Sequence, residues 1–552
     1  MALGQAERQG DLLDEVNRFC EQLLAESSLF AVLHRERDRL FPDEMFADLF
    51  SDRGRRSVPP SVVATVMVLQ RLEGLSDREA VERYCFDNRW RYACGVGGYD
   101  GDGWVSFSHT VLVDMRARLQ ASKDPRRLFR VVLEAASGAG LVGARRALDS
   151  TPLYDAVATM DTITLIRSAI RGLLKVAGDD LQSELRGVLS SGDDYVSLSK
   201  PQIDWEDPAS REALIDSRAR DGYACLTVLD GREVAAAVSE AGQLLATVLG
   251  QDLEIADGVD GGPGVLRIAR RVAKDRVIST VDPQARHGHK TAARGFDGYK
   301  GHVAIDPDSE LITATVVSAG NVGDAAVAAD LIGDLAPNPP RDDQPPAADA
   351  DAPRDAEQDA DAPVPAVYGD AAYGTSGEFL EHLAGAGIDS RCKTQPPTAA
   401  GGMFTKDQFD VDLPAGTVTC PNRVTATIRR DKHGDGTARF GSVCADCPLR
   451  AACTTAAAGR SITVGRHEQR LAQARAAQQD PAWRADYRAT RPKVERRLAH
   501  LMRRKHGGRR ARMRGTDKID ADFNLLAAAH NVARLVVLGI RWTPQGWATT
   551  TA

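Results

Sequence analysis

The sequence predicts an α/β protein built from several domains, and three observations carry that expectation. Its 552 residues are long enough for more than one hydrophobic core. Apolar residues recur at helical spacing over residues 1–125 and again from Asp480 to Leu538, whereas from Gly298 the period shifts to two. Two acids, Asp149 and Asp370, sit where short apolar stretches that read as strands come to an end.

Residues 1–125 are expected to form a helical domain for DNA binding or assembly. The segment PPSVVATVMVLQRLEGLSDREAVERYCFDNRWRYACGV opens with prolines suited to a helix start and breaks at Gly74. It restarts with Ser76 as N-cap and Glu79 three residues on, a capping-box pattern. Two short helices joined by a glycine turn fit a DNA-reading helix-turn-helix and a plain packing bundle equally well.

Around Arg146 the texture changes. RRALDSTPLY gives a first core strand, within 140–154, that ends near Asp149. Residues 155–276 read as a mostly helical insertion, through DTITLIRSAIRGLLKVAG, AGQLLATVLGQ and GVLRIARRVA. Over 277–395 the strands GYKGHVAI and LITATVVSAGN flank the turn Asp306-Pro307-Asp308-Ser309 as a hairpin. A helix is expected from about Val322 to Leu335, then a disordered acidic Pro/Ala segment over 336–365. A buried strand, PVPAVYGD, ends at Asp370, followed by the helix GEFLEHLAGAG and a last strand, GIDSRCK. Residues 396–475 are strand- and turn-rich and hold a cysteine cluster, and 480–540 are helical with a break at KHGGRR.

Charge narrows the function. No apolar run approaches the roughly 20 residues of a membrane span. The N-terminus lacks a basic-then-apolar leader pattern, so a cytoplasmic protein without a membrane partner is expected. Net charge is −7, which argues against nucleic acid until its distribution is considered. Residues 336–365 hold eight acids against two arginines, whereas Arg484 to Arg514 hold thirteen Lys/Arg against two acids. So concentrated a basic stretch is what meets phosphate, and nucleoid association follows from it.

The chemistry lies in the order of the strands. A strand ending at an acid, an antiparallel hairpin, a helix, another strand ending at an acid, and further helix and strand is the order of an RNase H-like domain. Acids at strand ends plus one on a late helix suit two-metal phosphoryl transfer. Mg²⁺ is a hard cation held by carboxylates, and two such ions about 4 Å apart serve the attacking and leaving oxygens.

Four motifs occur in sequence: ALDSTPL around Asp149, GYKGHVAID with SAGNVGD, VYGDAAYG around Asp370, and YRATRPKVER around Glu495. On these motifs the chain resembles DDE transposases of bacterial insertion sequences, most like insertion-sequence family 1182. The likeness runs from FPDEMFADLF to HNVARLVVL. It implies an RNase H-like catalytic domain carrying a helical N-terminal domain, a helical insertion and a small cysteine-containing β insertion. Asp149, Asp370 and Glu495 would be its catalytic, Mg²⁺-binding triad, with Mn²⁺ as a substitute. The reaction would be cleavage at the element ends and transfer of the freed 3′-OH into target DNA, by a homodimer or larger complex on paired ends. The family's Tyr-Arg-Glu-Lys signature is kept in part. Arg491 lies four residues before Glu495, but Tyr487 is one residue further away than the pattern asks, and Met502 stands where the lysine belongs, beside Arg503 and Lys505.

Each residue also has a plainer reading. Asp149 and Asp370 fit helix caps or turns, and Arg491–Glu495 fits an i,i+4 ion pair. Asp282 and Asp306 rival Asp149, but each is followed by proline, a turn signal. Cys444, Cys447 and Cys453 form C-x₂-C-x₅-C, and with Cys420 they complete a Cys₄ set suited to structural zinc; an iron–sulfur cluster, redox activity or unliganded thiols are the other readings. The DNA-binding residues expected are Arg488, Arg491, Lys493, Arg496, Arg503, Lys505 and Lys300, with solvated helix faces as the plain alternative. His302 and the run RHGHK (286–290) read as backbone contacts or as a solvated loop. Trp205 and Trp483 read as core rather than as base-stacking platforms. Two other functions fit the chain: an RNase H-like nuclease directed by DNA structure, without strand transfer, and a retired transposase that only binds DNA.

Overall fold

Helices α1 (Glu15–Leu23), α2 (Leu29–Leu40), α3 (Pro60–Glu73), α4 (Asp77–Phe86), α5 (Asn88–Ala93), α6 (Thr110–Ala121) and α7 (Arg127–Gly138) precede the first strand of the main sheet. The computed structural model describes residues 1–5, 15–97, 106–156, 159–197, 201–256, 264–291, 293–336 and 364–550. Helix α3 starts on Pro60, whose missing N–H costs nothing in a first turn, and ends at Gly74 in the left-handed region with φ 69°. A Cβ on Gly74 would also lie 2.2 Å from the Lys505 carbonyl oxygen, so this turn needs glycine twice over. The capping box on α4 forms: Ser76 Oγ accepts from Glu79 N, and Glu79 Oε2 accepts from Ser76 N.

Strand β1 (Arg145–Tyr154) is followed by helices α8 (Thr162–Val176), α9 (Asp179–Gly187), α10 (Pro208–Leu229) and α11 (Ala236–Asp252) and by a hairpin of β2 (Leu253–Ala256) and β3 (Val265–Ile268). The helices enclose their own core around Leu165, Ile170, Leu173, Leu245 and Leu249. The chain then returns through β4 (Arg286–Thr291), β5 (Arg294–Ile305) and β6 (Ile312–Ala319), α12 (Ala328–Leu331), β7 (Ala366–Gly369), α13 (Ala371–Gly374), α14 (Gly377–Gly385) and β8 (Asp389–Cys392). The main sheet runs β4-β5-β1-β7-β8, with β6 also on β5. Strands β4 and β6 are antiparallel to β5, β5 is antiparallel to β1, and β7 and β8 continue parallel.

Pairing explains where the sheet opens. Strand β1 pairs with β5 from Ala147 to Tyr154 but with β7 only from Arg145 to Ala147. Beyond that point β1 and β7 part, and Asp149 and Asp370 both lie just past the parting. Clefts beyond the carboxyl ends of parallel strands are where open sheets place ligands.

A second sheet of five antiparallel strands, β9 (Asp410–Asp412), β10 (Thr417–Thr419), β11 (Thr425–Arg430), β12 (Gly436–Arg439) and β13 (Ser461–Val464), carries the short helix α15 (Arg450–Cys453). Helices α16 (Glu468–Ala477), α17 (Pro481–Leu501) and α18 (Thr516–Val537) follow, and a hairpin of β14 (Ile540–Thr543) and β15 (Gly546–Thr549) closes the described chain. Residues from α17 and α18, among them Val494, Leu498, Phe523 and Leu526, cover one face of the main sheet with Ala147, Leu153 and Val303. The other face packs Leu148, Ala304 and Val367 under Leu331, Phe379 and Leu383. Helix α18 continues into the N-terminal core through Leu525, Ala529, Val532 and Leu535. No helix among the described residues is long and apolar enough to cross a membrane.

Several expectations need correction. Asp149 is not at a strand end: β5 pairing carries β1 five residues further, to Tyr154, whose open side meets Arg509 and Ala511. RHGHK is strand β4, not a loop, because β5 is long enough to pair with β4 and β6 in turn. VLRI is a strand rather than helix; alternation with LEIA pairs Leu253 with Ile268. The helix expected over 322–335 shrinks to the 3₁₀ turn Asp324–Val327 and the single turn of α12. Of the acidic segment, residues 337–363 lie outside the described residues.

Candidate active site

Helix α17 carries the centre of the site. Asp480 caps it, accepting from Ala482 N, and Pro481 occupies its first turn. Trp483, Tyr487, Arg491 and Glu495 recur every four residues and therefore share a face. Trp483 and Tyr487 stack with centroids 5.1 Å apart, and the Tyr487 hydroxyl donates to the Gly369 carbonyl at the end of β7. One turn on, this stripe delivers Arg491 to the cleft.

The Arg491 guanidinium draws together three carboxylates that are far apart in sequence. Its Nη2 lies 3.1 Å from Asp149 Oδ1 and 3.8 Å from Asp370 Oδ2, and its Nη1 lies 3.3 Å from Glu495 Oε1. Side-chain exposure grades outward, from 6% for Arg491 and 17% for Asp149 to 45% for Asp370 and 61% for Glu495. Asp149 Oδ1 also accepts from Ser150 N, and Asp370 Oδ1 accepts from Ala372 N as the cap of α13. Thus Asp370 is a cap and lines the cleft at once.

Burial pushes the Asp149 carboxyl up to about 6; Arg491 and the Ser150 N–H pull it down, while Asp370 and Glu495 push it further up. Burial opposes the charge on Arg491, but the three acids hold its pKa above the ordinary value. One guanidinium is therefore an incomplete answer to three acids. An oxygen-rich cluster that is buried at Asp149, open at Glu495 and short of positive charge fits a hard divalent cation such as Mg²⁺.

Further polar groups reach the cleft floor that the sequence did not single out. Asp324 accepts from Ser150 Oγ at 2.7 Å and from Lys300 Nζ at 2.9 Å, so it links Lys300 to the neighbour of Asp149. Buried Tyr373 has its pKa raised by burial and by Asp324, Asp149 and Asp370, and its hydroxyl has no partner. Both residues were visible in the sequence motifs, SAGNVGD and VYGDAAYG, but only their proximity gives them a role. Asp282 and Asp306 take other parts. Asp282 accepts from the Tyr299 hydroxyl, and Asp306 holds its own turn through Asp308 N and Ser309 N while accepting from Gly143 N. His302 is fully buried against Ser318 Oγ, so it does not reach a DNA backbone.

The expected DNA-contacting residues divide by surroundings. Arg488, Arg503 and Lys505 are exposed; Lys493 lies 3.8 Å from Asp308, and exposed Arg496 pairs with Glu310. Lys300 is committed to Asp324 and the Val322 carbonyl, and Arg491 to the acids. Trp483 is buried and Trp205 is exposed.

The five-stranded sheet gathers Cys420, Cys444, Cys447 and Cys453 around one pocket beside Arg450 and Arg460, with none of the four in a disulfide. Arg460 N donates to Cys444 Sγ, and the Arg460 guanidinium donates to the Cys453 carbonyl. Burial raises the Cys453 pKa; Arg460 pulls it down, and the other three thiols push it up. Thiolate sulfur is the soft donor type that zinc takes.

Two family models match parts of the chain. Residues 419–536 match the family model described as Transposase DDE domain, and residues 9–118 match the Transposase domain (DUF772). These matches support a transposase family. The first spans Glu495 and all four clustered cysteines but neither Asp149 nor Asp370. A DDE transposase domain implies a polynucleotidyl transferase or nuclease that acts on DNA and uses divalent metal. No curated protein and no solved structure matches the chain.

Proposed function

We propose that the protein is a DNA transposase that cuts the ends of an insertion sequence and joins the freed 3′-OH to target DNA. The observation that carries this reading is the convergence of Asp149, Asp370 and Glu495 on Arg491. The sheet supports an RNase H-like core, since three antiparallel strands lead into two parallel ones with the acids at the parting. Helices before residue 125 would bind or assemble on DNA, and the helical and cysteine-bearing segments would be insertions in that core.

Asp149, Asp370 and Glu495 are the residues that would hold two Mg²⁺, or Mn²⁺ in its place. When bound, the ions supply Lewis-acid activation of the attacking oxygen and charge relief at the leaving oxygen. The remaining steps belong to the chain. Arg491 offsets part of the acids' charge beforehand and offers a planar pair of donors to a phosphate. Exposed Arg488, Arg503 and Lys505, with Arg496 and Lys493 at the edge, position the duplex without reading its sequence. Water attacks the phosphodiester, the P–O3′ bond breaks, and a 3′-OH is freed. That 3′-OH then attacks a target phosphate, whose own 3′ oxygen leaves. Paired ends imply a dimer or larger assembly. The cysteine cluster would hold a structural zinc.

The test is a cleavage and strand-transfer assay with the full-length protein, Mg²⁺ and DNA carrying the element ends, run beside Glu495→Gln. Joining by the wild type alone supports the reading. Cleavage without joining replaces it with a nuclease, and a paired complex that neither cuts nor joins replaces it with a DNA-binding protein.

A further inference from the structure

Away from the carboxylates, three histidines meet in the interior. His500 lies in the last turn of α17, His506 in the 3₁₀ turn Arg504–His506, and His530 on α18. One ring nitrogen of each lies within 4.8 Å of those of the others, and the ring centroids are 4.5 to 5.4 Å apart. His506 and His530 are 3% and 1% exposed, and His500 is half-buried.

The hydrogen bonds define what these rings offer. His506 Nδ1 lies 2.6 Å from the Leu72 carbonyl oxygen. A carbonyl only accepts, so Nδ1 carries the proton and Nε2 presents a bare lone pair. That Nε2 is buried without a partner, and so are both ring nitrogens of His530. An unsatisfied buried polar atom costs about 1–3 kcal/mol, and His506 Nε2 together with one nitrogen of His530 calls for a shared partner. A ligating histidine usually donates its other N–H to a carbonyl or carboxylate, which is the Leu72 arrangement. Burial first, then nearby Arg497 and the other histidines, hold His530 down to about 2, and burial with Arg503 and Arg497 holds His500 down to about 4. The rings are therefore neutral at pH 7, the form that binds metal.

We propose that His500, His506 and His530 form a three-nitrogen binding site for one zinc-class divalent ion, separate from both the carboxylate and the cysteine clusters. Imidazole suits Zn²⁺, Co²⁺, Ni²⁺ and Cu²⁺ rather than Mg²⁺, and three histidines leave a fourth position for water or hydroxide. The nearest charged groups are cations, two of which already have partners. Arg71 pairs with Asp522 at 3.3 Å, and Arg497 donates to the His530 carbonyl. Arg503 and Lys505 are exposed to solvent, and their field favours an anionic fourth ligand. An ion here fastens α17, the basic turn and α18 to each other. Through the Leu72 carbonyl it also fixes the end of α3, where Gly74 already touches the Lys505 backbone. The site thus holds in place the turn that carries Arg503, Arg504 and Lys505.

Cobalt(II) titration of chelator-stripped full-length protein tests this, because cysteine ligation produces thiolate-to-cobalt charge transfer and nitrogen ligation does not. Cys444→Ser is expected to keep one equivalent of Co²⁺ whose ligand-field bands carry no charge transfer, set apart from any Co²⁺ on the three remaining thiols, which does carry it. Adding His500→Gln, at a half-exposed position that need not disturb folding, or His530→Gln, should remove that equivalent or weaken it at least about tenfold. Loss of the cobalt-induced rise in melting temperature should accompany it. A Cys444→Ser protein that binds no Co²⁺, or histidine variants that keep the full equivalent and its spectrum, would overturn the proposal.

Discussion

Asp149→Asn should stabilise the metal-free protein while ending catalysis. The folded state holds the Asp149 carboxyl at about 6, against about 3.9 in an unfolded chain. For an acid raised in this way the ionised form is penalised in the folded state. The penalty is fully present above the folded pKa, shrinks as pH falls through it and vanishes below the unfolded value. At pH 7 the shift of about two units corresponds to roughly 3 kcal/mol; at pH 5 about half remains, and near pH 4 little. Asparagine keeps an oxygen for the Ser150 N–H, and Arg491 keeps Glu495 and Asp370. The variant should therefore recover most of that penalty. Hydrogen exchange of the β1 and α17 amides in chelator reads it locally, as slower opening at pH 7 by about 100-fold and a smaller gain at pH 5. Mg²⁺ should narrow the gap by stabilising only the wild type. A destabilised variant, or a gain that is the same at pH 5 and pH 7, refutes the electrostatic account of this site.

Three other outcomes follow from the same geometry. Glu495→Gln and Asp370→Asn should abolish cleavage while leaving end binding within a few-fold of wild type, measured by gel shift beside the cleavage assay. Cys444→Ser should lose one zinc per chain by metal analysis and loosen the five-stranded sheet to proteolysis, because the four sulfurs share one pocket. Arg503→Ala with Lys505→Ala, both exposed, should weaken binding to all duplexes alike. Plots of log affinity against log salt should then flatten by about 0.9 for each phosphate that is no longer neutralised.

The helical ends, the hairpin and the strand before Asp370 were legible because each has a local cause: a capping box at Ser76, turn chemistry at Asp306, and an unbroken apolar run in β7. What escaped the sequence depends on partners. RHGHK has no apolar alternation and becomes a strand only because β5 extends beside it. The single turn of α12 and the continuation of β1 past Asp149 are likewise settled by neighbours. The site shows the same division. Acids of the right type were visible one by one, but Asp324 and Tyr373 gain meaning only from nearness to Ser150 and Asp149.

The lone glutamate in the basic tract joins these two levels. A four-residue period along α17 is a purely local property, yet it aligns Trp483 and Tyr487, which anchor the helix against β7, with Arg491 and Glu495, which meet the acids of β1 and the α13 cap. The i,i+4 ion pair and the shared cleft are then one arrangement. Arg491 reaches Glu495 because both face Asp149, and no plain surface pair would bury its arginine to 6% exposure beside two further carboxylates. A guanidinium so placed is costly unless something else uses the acids it restrains. That cost is the physical reason to read the stripe as a site rather than as a solvated helix face.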